Sequence, residues 1–343
     1  MTVSELGEHA LLARILDRLP RPGAHVLVGP GDDAAVIALE RNNRLVVTTD
    51  ALVEDVHFSR AWSQAEDIGH KALAVNLSDL AAMGARPRWA VVSFALPGTL
   101  PVGDVEAMVD GLSSQARAHG IAIAGGNIAR SPGGLVIDVT AGGEVPSRKW
   151  LTRQGGRAGD ELWLSGRIGG ARAGLEMCRE GGRPGTGSPA ASSSGSPAGA
   201  SCTTRHLRPE ARVRLGLAVA RNGAARAAMD LSDGLADAVR QLAGASGCGA
   251  LIDATALPID REAVGWWSSR GVDPVLAAVV GGEDYELLLA VPRRWGGRLR
   301  HVRSQVADPN LTRIGVLTRD LGIWLDDRGR RAPWPEGFEH FRT

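Results

Sequence analysis

The chain has 343 residues, with 39 Lys plus Arg against 38 Asp plus Glu and a net charge of +1. At about 150 residues per domain, this length favours two domains, each able to bury a core. The near balance of charge argues against nucleic acid or a membrane surface as partner, since both require a sustained basic field.

Apolar spacing alternates between helical and strand periods along the chain, the pattern of an α/β or α+β protein. Residues 6–19 read as an amphipathic helix with charges throughout, unlike the apolar core of a secretory leader. Short strands follow at 26–28, 35–39 and 45–49, punctuated by Gly, Pro and Asn. A helix at 66–83, a strand at 89–96, a helix at 104–119 and strands at 121–124 and 135–141 complete a first domain. Near residue 148 the chain passes into LTRQGGRAGDELWLSG, where a Gly-rich turn precedes an apolar strand. The expected domains are therefore 1–148 and 149–343. The second has helices at 169–179, 209–220, 235–243 and 273–279, with strands at 250–253, 285–291 and 314–317.

Between residues 181 and 204 the sequence is almost wholly Gly, Ser, Pro, Ala and Thr. Such a segment buries too little apolar area to offset its ordering entropy, so a flexible surface insertion is expected there. Cys178, Cys202 and Cys248 form an odd, widely spaced set with no CxxC pair. A reducing cytoplasm is the simple reading of that set. No run approaches the roughly 18 apolar residues of a membrane-spanning helix.

The 45 Gly and 18 Pro make roughly 18% of the chain against a usual 12% or so. Many of these glycines stand beside acids. Gly29, Gly31, Asp32 and Asp33 form GPGDD; Thr48, Thr49 and Asp50 form TTD; Asn76, Ser78 and Asp79 lie in NLSD; Asp230, Ser232, Asp233 and Gly234 lie in DLSDG; Gly281, Gly282, Glu283 and Asp284 form GGED. Strand ends and the turns after them are where α/β chains carry chemistry. Taken singly, Asp79 or Asp233 reads equally well as a helix cap or a solvated turn acid. GPGDDA also fits a loose dinucleotide fingerprint, but two carboxylates there repel a bare pyrophosphate. They suit one only with Mg²⁺ between, because that hard cation takes carboxylate and phosphate oxygens together. On spacing alone, a nucleotide site with several Mg²⁺ ions and a scatter of caps remain open side by side. No P-loop, kinase catalytic loop, DFG triplet or GxSxG elbow is present, so phosphoryl transfer here would rest on Mg²⁺, Arg and backbone amides.

In order, GDDAAV, TTDALVEDVHF, GHKALAVNLSDLAAMGARP, GGN, LTRQGGRAGD, RHLRP, DLSDGLADA and GGEDYELLL resemble the thiamine-monophosphate kinase family, in the superfamily of aminoimidazole ribonucleotide synthetase. The resemblance runs from about Gly29 to Val291. It implies two α/β (α+β) domains, the first pairing with its twin into a dimeric β-barrel. It also implies a homodimeric enzyme with thiamine monophosphate and ATP as substrates and several Mg²⁺ ions as cofactors. Position by position, Asp33, Thr48, Thr49, Asp50, Asp79, Asp230 and Asp233 match metal-binding positions. Gly126, Asn127, Arg153 and Ser232 match nucleotide contacts. His57 and Glu283 match substrate contacts, with Trp334 or Phe338 as the aromatic wall near the thiamine ring; a packing role for Trp334 fits the sequence equally. Asp50, Asp79, Asp230 and Arg153 are the residues on which catalysis would rest.

One departure stands out: Gly125, Gly126 and Asn127 replace the family's GGD. Asn keeps a carbonyl oxygen for a metal but drops a charge, which predicts weaker binding of one Mg²⁺. Two rivals follow. Another enzyme of the superfamily is one, although the first cysteine is Cys178 and no cysteine lies near Thr343, where a selenophosphate synthetase or a hydrogenase maturation factor respectively would need one. A nucleotide-binding homologue without kinase activity, with Asn127 as its lesion, is the other.

Overall fold

The computed structural model describes residues 1–21, 23–29, 35–181, 201–306 and 310–337. Asp33, Phe338 and positions 182–200 of the expected insertion lie outside the described residues. The chain divides into two compact units, Met1–Leu80 with Arg86–Ser147, and Ala81–Ala85 with Arg148–Thr343.

In the first unit the N-terminal helical stretch is split in two, α1 (Val3–Leu6) and α2 (Glu8–Arg18), at Gly7 with φ 80°. A strand pair, β1 (Val26–Val28) with β2 (Val36–Ile37), is followed by β3 (Asn43–Val53), α3 (Ala65–Ala82) and β4 (Arg86–Pro97). Helix α4 (Val102–His119) ends where Gly120 turns left-handed, and β5 (Ala122–Ser131) and β6 (Val136–Pro146) close the unit. The main sheet runs β3-β6-β4-β5, antiparallel except between β4 and β5. Along β4, Ala90, Val92, Phe94 and Leu96 are buried while their neighbours are half-exposed, as period-two side chains require. β5 and β6 run on through GGN and AGG, where the glycines had suggested strand ends. Helices α3 and α4 cross almost backbone on backbone. A Cβ added to Gly69 would stand 1.8 Å from the Met108 carbonyl oxygen, and one added to Gly111 would stand 2.0 Å from that of Glu66.

The second unit carries β7 (Asp160–Ser165), α5 (Gly170–Gly181), α6 (Cys202–Leu207), α7 (Val213–Asn222), β8 (Ala227–Asp230), α8 (Leu235–Ala245) and β9 (Gly249–Asp253). It continues with α9 (Arg261–Ser268), α10 (Pro274–Val280), β10 (Leu287–Pro292), α11 (Gly296–Gln305), β11 (Leu311–Thr318), β12 (Ile323–Asp327) and β13 (Arg330–Pro333). Seven strands form one sheet in the order β13-β12-β9-β11-β7-β10-β8. Every pairing is antiparallel except β12 with β9. Antiparallel pairing dominates both sheets, so of the two classes that the alternating periods allowed, the fold is α+β. β10 is buried at all six positions and lacks alternation, as a central strand covered on both faces must. Leu164, Met229, Leu235, Val239, Ile252 and Leu288 belong to the core of this unit. No helix of the described residues is long and apolar enough to cross a membrane.

Candidate functional site

In the first unit, strand alternation sorts the TTD motif. Thr48 and Asp50 share one face of β3, and the Thr48 hydroxyl donates to the Asp79 carboxylate on α3. Thr49 falls on the opposite face, where its hydroxyl bonds the Val139 carbonyl (3.3 Å) and lies 3.0 Å from the Thr140 hydroxyl. The side chain of Thr49 is therefore not gathered with those of Thr48 and Asp79. Asp79 sits in the NLSD stretch of α3, whose Asn76 and Ser78 are fully buried. Asn76 donates to the Ala72 carbonyl, and in that motif Asp79 alone is half-buried. After β3 the chain turns through VEDVHF, with Asp55 left-handed at φ 64°. Arg60 and the Leu135 amide hold Glu54 at 2.6 and 2.8 Å. His57 accepts the Val53 amide on Nδ1 (3.0 Å), which leaves its proton on Nε2. The buried Lys71 ammonium donates to the His57 carbonyl at 2.9 Å and so helps to hold the turn.

Gly126 and Asn127 line a cavity of about 640 Å³ in the same unit. Its lining is largely apolar, with Leu12, Ile15 and Leu16 of α2 among it, and Asn127, Asp138 and Thr140 add polar groups from the sheet. Gly29, the first residue of the GPGDD motif, and Ala35, two positions beyond its last, also line it. A Cβ on Gly126 would lie 2.1 Å from the Val92 carbonyl oxygen, so this stretch of β5 hugs β4 as only glycine permits. Asp138 was not anticipated. Its signal was a lone acid in the apolar run LVIDVTA, on a face that alternation leaves half-exposed.

In the second unit two distant motifs interlock. The Glu283 amide donates to the Ser232 carbonyl (2.7 Å), Tyr285 to that of Leu231 (3.0 Å), and the Leu231 amide to that of Glu286 (2.9 Å). Gly234, at φ 93°, allows close contact, since a Cβ there would meet the Gly281 carbonyl oxygen at 2.5 Å. DLSDG and GGED thus form one double loop at the ends of β8 and β10. Asp230 is 3% exposed, while Ser232 and Asp233 are half-buried. The RHLRP motif joins them, with His206 Nδ1 lying 2.8 Å from the Glu283 carboxylate. Arg153 is exposed beside α8, where it donates to Gln241, which in turn donates to Asp237.

Trp334 lies against the start of α8, two residues beyond DLSDG. It is 8% exposed within the core, and its indole donates to the Ala236 carbonyl at 2.9 Å. Such placement is that of a packing residue.

The donors in the TTD and NLSD motifs are hydroxyl and carboxylate oxygens, which suit a hard cation such as Mg²⁺. Among the described residues the one trio of His, Cys, Asp or Glu ligand atoms within 4.8 Å of one another is Cys202, Asp260 and Glu262, none of them anticipated. Its geometry is that of helix capping: Glu262 accepts the Cys202 amide and Asp260 caps α9. Burial, with the two carboxylates beside it, pushes the Cys202 thiol far up, which keeps it protonated and a poor ligand.

Comparison with known proteins completes the description. Residues 31–145 match the family model for the N-terminal domain of AIR synthase related proteins, and 157–320 match that for the C-terminal domain. A Mycobacterium tuberculosis thiamine-monophosphate kinase is 38% identical over 300 residues, 86% of this chain and 84% of its own. The Escherichia coli K12 thiamine-monophosphate kinase is 35% identical over 343 residues, 98% of this chain and 99% of its own. A solved structure of AaThiL complexed with AMPPCP and TMP is 32% identical, covers 99% of each chain and superposes with a TM-score of 0.73.

Proposed function

The chain belongs to the thiamine-monophosphate kinase family, and from that premise we propose that it passes the terminal phosphoryl group of ATP directly to thiamine monophosphate, giving thiamine diphosphate. The observation that carries this for the chain's own residues is the hydroxyl and carboxylate oxygens that Thr48 and Asp79 bring together, on the face of β3 that also bears Asp50. Thr48, Asp50 and Asp79 in the first unit, and Asp230 and Asp233 in the second, would hold Mg²⁺, with Asp33 and, on the opposite face of the sheet from Thr48, Thr49 and Asn127 as further ligands. Bound Mg²⁺ would supply the positive charge that two phosphate-bearing substrates need in order to approach each other.

The remaining steps belong to the protein. The apolar wall of the cavity excludes water from a nucleobase, and Gly126, by letting β5 lie close against β4, shapes the cavity that receives the nucleotide. Arg153, turned by Gln241, offers a guanidinium to phosphate oxygens in the transition state, and Ser232 offers a hydroxyl to the nucleotide. His57 donates from Nε2 to the substrate phosphate, and the Glu283 carboxylate complements the cationic thiazolium ring. The acceptor oxygen is already ionised at neutral pH, so positioning and electrostatics suffice and no general base is needed. Phe338, not Trp334, is the aromatic residue assigned to the thiamine ring.

Exposed Leu45 and Val47 on the outward face of β3, in an open four-stranded sheet, support assembly of two copies into the expected barrel. Three buried free cysteines fit a cytoplasmic setting. Incubation with ATP, Mg²⁺ and thiamine monophosphate should yield thiamine diphosphate, and no product at high Mg²⁺ would overturn the proposal. Asp50→Asn and Asp79→Asn should abolish turnover in folded protein; wild-type rates in both would refute the metal assignment.

A further inference from the structure

The segment GGEDYEL places three acids within four residues, yet two of them are withdrawn from water. Asp284 is 6% exposed and Glu286 is fully buried. The Asp284 carboxylate caps the N-terminus of α5, accepting the amides of Gly169 at 2.7 Å and Ala171 at 3.1 Å. Glu286 is gripped from the other side by two bonds from Arg212, at 2.7 and 2.5 Å, and by the Ser165 hydroxyl at 2.6 Å. Room for Glu286 comes from Gly166, where a Cβ would stand 1.9 Å from its Oε1.

The residues between and beside these anchors are strained. Glu283 has φ 68° and Tyr285 has φ 49°, both in the left-handed region that non-glycine residues avoid. A loop without anchors relaxes from such angles, so the strain persists because both ends are fixed. Side chains 284 and 286 point inward and hold; the backbone at 283 and 285 bends in compensation. The bend sets the direction of the Glu283 carboxylate.

We infer that Asp284 and Glu286 are positioning residues that hold Glu283 in the one backbone conformation from which it meets thiamine monophosphate. The inference rests on the assignment of Glu283 to that substrate. It also explains why RHLRP and GGEDYEL, more than 70 positions apart, belong together. Arg212 lies three positions after Pro209, the last residue of RHLRP, and it is the cation that fixes Glu286.

The test is direct binding, measured by calorimetry without turnover, of thiamine monophosphate and, separately, of a non-hydrolysable ATP analogue. Asp284→Asn turns an amino group toward one of the two α5 amides and frees one end of the loop. The fraction of protein with Glu283 in place then falls, and the apparent affinity falls with it. Thiamine monophosphate should bind about tenfold more weakly, equivalent to about 1.4 kcal/mol, while the ATP analogue binds within twofold of wild type. Glu286→Gln, acting at the other anchor, should shift the same constant, and thermal melts confirm that each variant is folded. Glu283→Gln is run in parallel. If it weakens thiamine monophosphate while both anchor variants, folded, do not, the positioning role is overturned and the assignment of Glu283 stands. The positioning role is likewise overturned if the anchor variants weaken both ligands equally. If Glu283→Gln leaves the affinity unchanged, the assignment of Glu283 falls and the positioning role falls with it.

Discussion

Replacing Trp334 separates a packing residue from a substrate contact. Its indole is 8% exposed in the core of the second unit and donates to the Ala236 carbonyl at 2.9 Å. Trp334→Phe keeps most of the ring and loses that bond, which is worth about 1 kcal/mol, with about 1 kcal/mol more for the missing volume. Trp334→Ala removes about 200 Å² of buried apolar surface, about 5 kcal/mol at 25 cal/mol per Å², within the usual range of about 3–5 kcal/mol for such truncations. Urea unfolding followed by far-UV circular dichroism reads these losses and avoids the overlapping fluorescence of nine tryptophans. Thiamine monophosphate affinity of folded Trp334→Phe should match wild type within twofold. A Trp334→Phe variant that keeps its urea midpoint and binds thiamine monophosphate tenfold more weakly would refute the packing role.

Asn127→Asp restores a charge at the cavity wall and should lower the Mg²⁺ concentration for half-maximal activity; an unchanged titration removes Asn127 from the metal set. Gly126→Ala drives a Cβ to 2.1 Å from the Val92 carbonyl oxygen, so β5 must part from β4. Weaker binding of the ATP analogue is expected, with thiamine monophosphate less affected. Burial raises the Asp284 carboxyl from 3.8 to about 7, against the pull of two amide donors. The folded protein therefore holds a proton there that the unfolded chain releases, so this contribution to stability is full below about pH 4 and lost as pH rises through about 7. The ceiling is about 4 kcal/mol at about 1.4 kcal/mol per tenfold change in acidity. Urea midpoints at pH 4.5 and 8 should differ more for wild type than for Asp284→Asn; equal slopes would show that the group titrates normally.

Much of the architecture was legible because period and punctuation agreed. The helices now seen as α3, α4 and α8 and the strands β1, β9 and β11 lie close to their expected places. What was missed has local causes. α6 is only six residues long, and α11 (GGRLRHVRSQ) buries only Leu299 and Val302, too few to set a helical period. β5 and β6 were cut short because glycines read as turns, whereas those at 126 and 142 lie inside strands where a Cβ would strike Val92 or the Trp89 ring. The site was legible as motifs, not as geometry. Nothing in TTD announces that Thr48 and Thr49 face opposite ways until β3 runs through them without a bulge. That DLSDG and GGED are one double loop depends on β8 pairing with β10, a contact between residues more than 50 positions apart.

The crossing of α3 and α4 gives the first unit a fulcrum. Asp79 stands ten positions beyond Gly69 on α3, about 15 Å along the axis at 1.5 Å per residue. A wedge as small as one methyl group at Gly69 or Gly111 pries the helices apart, and a tilt of about 5° swings Asp79 by about 1.3 Å, where about 1 Å of misplacement costs on the order of 100-fold in rate. The position of the Asp79 carboxylate is thus set by two hydrogens in place of side chains, at a joint about 15 Å away along the helix.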